Sequence, residues 1–282
     1  WVREAYLPWH AGEYPDSHYR IRQILEQHLI PRFGPCRMSE IESELAEQMK
    51  QDRRADGAKA HTISKELRAL QAVLNRAVLL KVIEENPITA VRAPRILDAK
   101  PHHFYEPEQL QALYHACGRT VNGGRGPQPD PAHAAIWKLY VNTGMRRGEG
   151  MQLRRQWIGR DEIKIVSTGE ERTKSGQWRA VPKTDGAAEA LDRLKGMGSG
   201  EYVLPRYDLR SLSRFFAHDA KAAGIGGSLH TLRHTYISLM MRDTQTPVRT
   251  IQLWAGHAHI TTTEGYLYLR EHRASPVRGL NL

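Results

Sequence analysis

Leu253-Trp254-Ala255-Gly256-His257-Ala258-His259-Ile260-Thr261-Thr262-Thr263-Glu264-Gly265-Tyr266-Leu267-Tyr268 is the stretch around which this 282-residue chain is read. Thr261 followed three residues later by Glu264 is a capping-box pattern. It predicts a helix that starts here and carries Tyr266 in its first turns, just beyond a glycine-bent loop holding His257. That arrangement puts a phenol close to an imidazole. A helical tyrosine is by itself more often a half-buried core residue than a nucleophile, so the weight falls on its company. Three upstream segments supply two arginines, a lysine and a second histidine, all suited to a negatively charged phosphorus centre.

The first segment is Thr143-Gly144-Met145-Arg146-Arg147-Gly148-Glu149, where a glycine breaks one helix and Arg146 and Glu149 share a face of the next at spacing three. An arginine held by a carboxylate has its fork pre-oriented for two oxygens of a phosphate, although a purely structural Arg-Glu pair has the same spacing. The second is Thr173-Lys174-Ser175-Gly176 at the tip of a hairpin, where a lysine is either a proton donor to a neighbouring groove or simply solvated. The third is His230-Thr231-Leu232-Arg233-His234, in which helical spacing projects His230 and Arg233 together while Leu232, Tyr236, Leu239 and Met240 form the buried stripe. His230 and His234, with His257 and His259 later, also raise a metal site. No carboxylate or thiol completes that set, and Arg233 would place a fixed positive charge beside the ion, so no metal is assigned.

Composition sets the frame. Apolar residues make up 40% of the chain, enough for substantial cores, and the length allows two domains. Lys and Arg outnumber Asp and Glu by 41 to 31, a formal charge of +10 that favours a polyanionic partner, and beyond residue 100 the balance is 25 to 17. Cys36 and Cys117 are far apart and in no metal-like spacing, which argues against a disulfide framework and for a reducing, intracellular setting. No apolar run approaches the roughly 18 residues needed to span a bilayer, so no membrane partner is expected. A start at Trp1 rather than Met suggests a natural N-terminus further upstream.

Residues 1 to about 95 read as all-helical. Apolar residues recur at three- and four-residue intervals over 1–9, 19–30, 38–53 and 62–82, with Pro8, Pro15, Pro31, Gly34 and Pro87 at the joins. Over 62–82 one stripe holds Ile63, Leu67, Leu70, Val73, Leu74 and Ala77, with Lys65, Arg68 and Arg76 pointing elsewhere. His18, Arg20, Arg22, Lys65 and Arg68 are candidate phosphate contacts, against the ordinary reading of a solvated face. Residues 88–107 read as a linker ending at a helix that opens Glu106-Pro107-Glu108. A helix through Ala135, Ile136, Leu139 and Tyr140 ends at Gly144. Stretches 163–167 and 177–182 form a β-hairpin, and helices follow at 187–195, 209–223, 230–242 and 247–254.

These segments, in this order, resemble the tyrosine recombinase (phage-type integrase) family over essentially the whole chain. The match runs through Thr143 to Glu149, Lys174 in the hairpin, His230-Thr231-Leu232-Arg233 as the His-x-x-Arg element, and Gly256-His257 with Tyr266 nine residues on. Ala255, His259, Arg147 and Gly150 depart from the family's usual residues, which bears on local packing rather than on chemistry. The resemblance implies a mainly α chain with a small β-sheet (α+β): a SAM-like helical core DNA-binding domain at 1–97 and a catalytic domain at 98–282. It implies that Tyr266 attacks a DNA phosphodiester to give a 3′-phosphotyrosyl link, with strand exchange through a Holliday junction. Arg146, Arg233 and His257 would stabilise the phosphate oxygens and Lys174 would protonate the departing 5′ oxygen. His230 would assist proton transfer or hold an oxygen, and Glu149 would orient the first arginine, with no cofactor required.

Tyr268 is the rival nucleophile, about 200° around a continuous helix from Tyr266. Two other functions share the scaffold: type IB topoisomerase-like relaxation and catalytically silent DNA binding. The implied partners are double-stranded recombination sites, a homotetramer when two sites are synapsed, and accessory DNA-bending or directionality proteins, in a cytoplasmic, nucleoid-associated setting. A missing upstream segment would suit an integrase that binds additional arm sites. The tail from Arg270 to Leu282 is expected either to dock on a neighbouring protomer or to fray.

Overall fold

A computed structural model describes residues 1–95, 102–117, 132–166, 178–198, 200–205 and 207–271. The chain divides into two compact units, Trp1–Ala99 and Lys100–Leu282. It is mostly helical, with a two-stranded antiparallel sheet among the described residues. No helix among those residues is long and apolar enough to cross a membrane.

In the first unit the helices are α1 (Leu7–Glu13), α2 (Pro15–Ile24), α3 (Ile30–Phe33), α4 (Ser43–Ala55) and α5 (Ala60–Leu79). Pro31 does not end the second predicted helix. A π-helical segment, Leu25–Leu29, joins α2 to α3, and another, Val2–Tyr6, leads into α1 just ahead of Pro8. A proline has no N–H to give and its ring crowds the carbonyl one turn back, and a widened π turn relieves both faults without breaking the helix. The predicted helix over 38–53 is interrupted instead. Met38–Glu40 is a 3₁₀ turn, closed where Glu40 accepts the Arg37 N–H at 2.9 Å, and α4 starts at Ser43. Along α5 the predicted stripe is buried. So is Glu66, whose carboxylate takes two 2.8 Å hydrogen bonds from Arg53 and pins α5 to α4.

The second unit is built around α7 (Ala132–Thr143), preceded by α6 (Pro107–Ala116). Ala135, Ile136, Trp137, Leu139 and Tyr140 are all buried, so most of this helix faces the core, and only the stripe of Ala134, Lys138 and Asn142 is half-buried. Gly144 ends it at φ 61°. A Cβ there would lie 2.3 Å from the Tyr236 ring, so this position needs glycine on two counts. The chain continues through α8 (Arg147–Met151), β1 (Glu162–Ile165), β2 (Arg179–Pro182) and α9 (Asp185–Arg193). Next come α10 (Leu209–Ala222), α11 (Leu229–Asp243), α12 (Val248–Ala255), α13 (Thr261–Glu264) and α14 (Tyr268–Glu271). β1 pairs with β2 in the register Ile163↔Val181 and Ile165↔Arg179.

The predicted helix carrying Tyr266 is corrected. The helix of Thr261 stops at Glu264, its N-cap is Ile260, and no side chain caps it. Thr263 is fully buried toward His257 and Glu264 is exposed, so the capping box read from the sequence does not form. Tyr266 sits in the turn between two four-residue helices, and the angular argument against Tyr268, which assumed one continuous helix, does not hold.

Candidate active site

Arg146 is the N-cap of α8, and Glu149, three residues on, reaches back to it. The carboxylate accepts the Arg146 backbone N–H at 2.7 Å and its Nη1 at 2.8 Å. The same two oxygens also take a bidentate pair from Arg179 on β2, at 2.9 and 2.6 Å. Both arginines then tie to the end of α12: Arg146 Nη2 donates to the Gly256 carbonyl at 2.6 Å, and Arg179 Nε to that of Trp254 at 2.8 Å. Burial alone would raise the Glu149 carboxyl. The hydrogen bonds and charge of Arg179, then of Arg146, outweigh it and lower the group to about 2.

Arg179 is a residue that reading the sequence missed. The signal was present in the strand pattern, because it stands opposite Ile165 on the inward face of the hairpin, a position an unpaired charge does not occupy.

Arg233, on α11, is buried beneath this knot. Its Nη1 donates to the Gly144 carbonyl at 2.6 Å, whereas Nη2 is buried with no hydrogen-bond partner among the described residues. Burial, followed by the charges of Arg146 and Arg179, lowers its guanidinium from the usual 12.5 to about 9. His257 follows Gly256, which ends α12 in the left-handed conformation, and its Nδ1 lies 2.9 Å from the Thr263 hydroxyl. Gln252 fixes the same loop by donating to the His257 carbonyl at 2.9 Å. Burial, with Arg233 and Arg146 nearby, lowers His257 to about 3, so the ring is neutral at physiological pH.

The Tyr266 ring is 1% exposed and packs with Tyr236, Ile237, Met241, Ile251 and Ala255. Burial raises its phenol while the nearby Arg233 charge acts to lower it, so ring and guanidinium share one environment. The phenol oxygen is hydrogen-bonded to His234 Nδ1. His102 lies flat against both rings, with centroids 4.4 Å from Tyr266 and 4.7 Å from His234, tilted 16° in each case.

The structure therefore brings Arg146, Glu149, Arg233, His257 and Tyr266 into one cluster. His230 is exposed in the first turn of α11, its ring edge-on to His234 at 4.6 Å. It does not share a direction with Arg233, which turns into the core. Lys174 lies outside the described residues, as does the tail beyond Glu271. In the first unit Arg20, Arg22, Lys65 and Arg68 are exposed and His18 is half-buried, with Arg22 paired to Glu26 at 3.0 Å. Nothing in the geometry gathers these five into a site. Among the described residues no group of His, Cys, Asp and Glu side chains is arranged to hold a metal ion.

Known proteins are similar to this chain in sequence and in fold. Tyrosine recombinase XerC of Caldanaerobacter subterraneus subsp. tengcongensis is 24% identical over 203 residues, 67% of this chain and 53% of that protein, so this chain spans about half its length. Tyrosine recombinase XerC of Vibrio cholerae serotype O1 is 24% identical over 285 aligned positions, covering 94% of this chain and 86% of the relative. Among solved structures, lambda integrase (75–356), a dimer bound to a COC′ core site, superposes with a TM-score of 0.71 at 19% identity, over 91% of this chain and 94% of that one. Residues 103–273, which hold every cluster residue but His102, match the Phage integrase family, and the chain belongs to that family.

Proposed function

We propose that this protein is a site-specific DNA recombinase that cuts and rejoins strands through a phosphotyrosyl link at Tyr266. The observation that carries the reading is a buried phenol beside the Arg233 guanidinium, whose Nη2 has no acceptor among the described residues, in a cluster that also holds Arg146 and a neutral His257. A phosphodiester oxygen is an acceptor of the right charge. The phenol oxygen would attack phosphorus and displace the 5′ oxygen. Arg146, Arg233 and His257 would hold the nonbridging oxygens, on which negative charge grows in the transition state. Glu149 sets the direction of the Arg146 fork. Lys174 is the proposed donor to the departing 5′ oxygen, and His230 a proposed phosphate contact or proton carrier. Charge stabilisation by arginine and proton transfer by side chains supply the whole scheme, so no cofactor is invoked.

Tyr266 and Arg233 are almost closed off from solvent in the protein alone, so the chain around them must open for a phosphate to reach them. The helical first unit is proposed to grip the duplex through Lys65, Arg68, Arg20, Arg22 and His18. Two sites exchanging strands need four nucleophiles, hence a homotetramer at synapsis, with DNA-bending or directionality proteins as the proposed accessories. A cytoplasmic location, on the nucleoid, follows from that substrate.

The deciding experiment is covalent capture on genomic DNA fragments, followed by sequencing of what is trapped. Tyr266→Phe should abolish capture and Tyr268→Phe should retain it; the reverse would refute the assignment. Supplying the captured site once on a supercoiled plasmid and once as a pair separates relaxation from recombination, and binding without any covalent product would identify a silent DNA-binding protein.

A further inference from the structure

We infer that His234, rather than His230, takes the proton of the Tyr266 phenol during cleavage and returns it on rejoining, with His102 as the plate that holds both rings in place. The inference rests on the recombinase reading above and deepens it. Burial keeps the phenol protonated, so in its hydrogen bond with His234 the O–H donates and Nδ1 accepts. That assigns the neutral tautomer with its hydrogen on Nε2. Neutrality is enforced from every side: burial, then His230 and Arg233 on α11 and His102 and His103 ahead of α6, lower His234 to about 4, and His257 faces it from the loop after α12. An imidazole kept free of its proton and aimed at the attacking oxygen is arranged to receive one. His230 stands one turn earlier, exposed, with its ring against the edge of His234 rather than against the phenol as His102 is.

The step balances as follows. The phenol O–H bond breaks and its proton passes to His234 Nδ1, while the oxygen forms the bond to phosphorus. The bond from phosphorus to the 5′ oxygen breaks with its electron pair on that oxygen, which takes a proton from the donor proposed above. In the reverse reaction the His234 imidazolium returns the proton to the phenol oxygen as it leaves phosphorus. His102 touches neither phosphorus nor the proton and is a positioning residue: stacked on both rings, it limits their rotation and keeps Nδ1 on the line of the hydroxyl.

The test is single-turnover cleavage by the full chain of a nicked duplex carrying the site recovered by capture. His234→Asn places an amide where Nδ1 lies, so it can hold the hydroxyl but cannot carry a proton. Cleavage should slow by about 100-fold or more, with DNA affinity unchanged. Replacing Tyr266 by difluorotyrosine, whose phenol releases its proton more readily, should restore His234→Asn by about tenfold or more and hardly alter the unsubstituted protein. Each variant is compared with itself, so a lowered folded fraction cancels. The rate of His234→Asn should rise with pH between 7 and 9 while the parent stays flat, and His102→Phe should cleave faster than His102→Ala. Equal response to fluorination in both proteins, or normal cleavage by His234→Asn, overturns the inference alone. Absence of any adduct from the unsubstituted chain overturns the recombinase reading and the inference with it.

Discussion

Replacing Glu149 by glutamine removes one charge from a site that holds three guanidinium groups. The carboxylate accepts four hydrogen bonds, two from Arg179 and two from Arg146, and its side chain is 4% exposed, so solvent screens it little. A carboxyl lowered from 4.5 to about 2 gains about 3 kcal/mol in its ionised form. Breaking a buried ion pair by removing one partner costs about 3–5 kcal/mol, so the two scales agree. The glutamine amide fits poorly, since its NH₂ must face a donor of Arg146 or Arg179. Urea unfolding followed at Trp137, buried in the same unit, should show Glu149→Gln less stable by about 3 kcal/mol at pH 7.

The sign of the pH dependence follows from the lowered carboxyl. Its stabilisation is complete above the unfolded value near 4.5 and is lost as pH falls toward 2. The gap between parent and variant should therefore narrow by more than about 1 kcal/mol on going from pH 7 to pH 3.5. His234 and His257, lowered to about 4 and 3, weaken both proteins as pH falls below the usual histidine value. The difference between the two proteins is accordingly the quantity to read. A gap under about 1 kcal/mol at pH 7, or one that stays constant into acid, would refute the claim that this carboxylate is the electrostatic anchor of the site.

Arg179→Lys gives up the bidentate grip on Glu149 and the bond to Trp254, and should lose about 2 kcal/mol and slow cleavage with Arg146 and Arg233 intact; unchanged melting and activity would show Arg179 to be dispensable. Gly144→Ala combines a left-handed backbone with a Cβ 2.3 Å from Tyr236 and should cost about 2–4 kcal/mol. Gly224→Ala, also at positive φ but with nothing within 4 Å, is the control and should cost about 1 kcal/mol in the same denaturation assay. Lys65→Ala and Arg68→Ala should each weaken binding to any duplex and reduce the slope of log affinity against log salt by about 1, measured by fluorescence anisotropy; an unchanged slope would remove that residue from the DNA interface.

The parts of this fold that were legible in the sequence are those governed by local periodicity. The stripe of α5, the apolar face of α7, the stop at Gly144 and the pairing of β1 with β2 follow from spacing and backbone freedom, whereas on α11 Leu232 and Tyr236 are buried as expected but Leu239 and Met240 are only half-buried, Ile237 and Met241 taking the core instead. Where the reading slipped, a longer-range demand had overridden a local signal. Pro31 signals a break, yet burial of Leu25, Leu29 and Phe33 in one core keeps the helix running through a π turn. Thr261 and Glu264 spell a cap, yet Thr263 is drawn inward to His257 and Tyr266 into the core beside Ile251, so the helix stops short of Tyr266. His102 lies in a stretch read as linker, and no sequence pattern reveals that its ring stacks on one 164 residues away. Arg179 was discoverable through strand alternation, but its partner Glu149 was already assigned to Arg146, and a carboxylate's capacity for two forks does not show in spacing.

The hydrogen bonds also separate the three arginines by what each has left to give. Arg179 engages Nε, Nη1 and Nη2 with protein acceptors, so it is committed to holding β2, α8 and the end of α12 together. Arg146 makes single bonds through Nη1 and Nη2 and keeps further hydrogens, on a side chain 23% exposed. Among the described residues Arg233 Nη2 has no acceptor. One carboxylate cannot balance three fixed cations, and burial, followed by the charges of Arg146 and Arg179, lowers Arg233 to about 9. The rigid side of the cluster is thus held together against its own repulsion by Glu149, with one nitrogen, Arg233 Nη2, left without an acceptor among the described residues and Arg146 the most exposed of the three side chains. The opposite side, Tyr266 between two four-residue helices, is where the chain has least regular structure to give up. An arriving phosphate would supply the missing negative charge to the rigid side, within reach of the phenol that His234 and His102 hold.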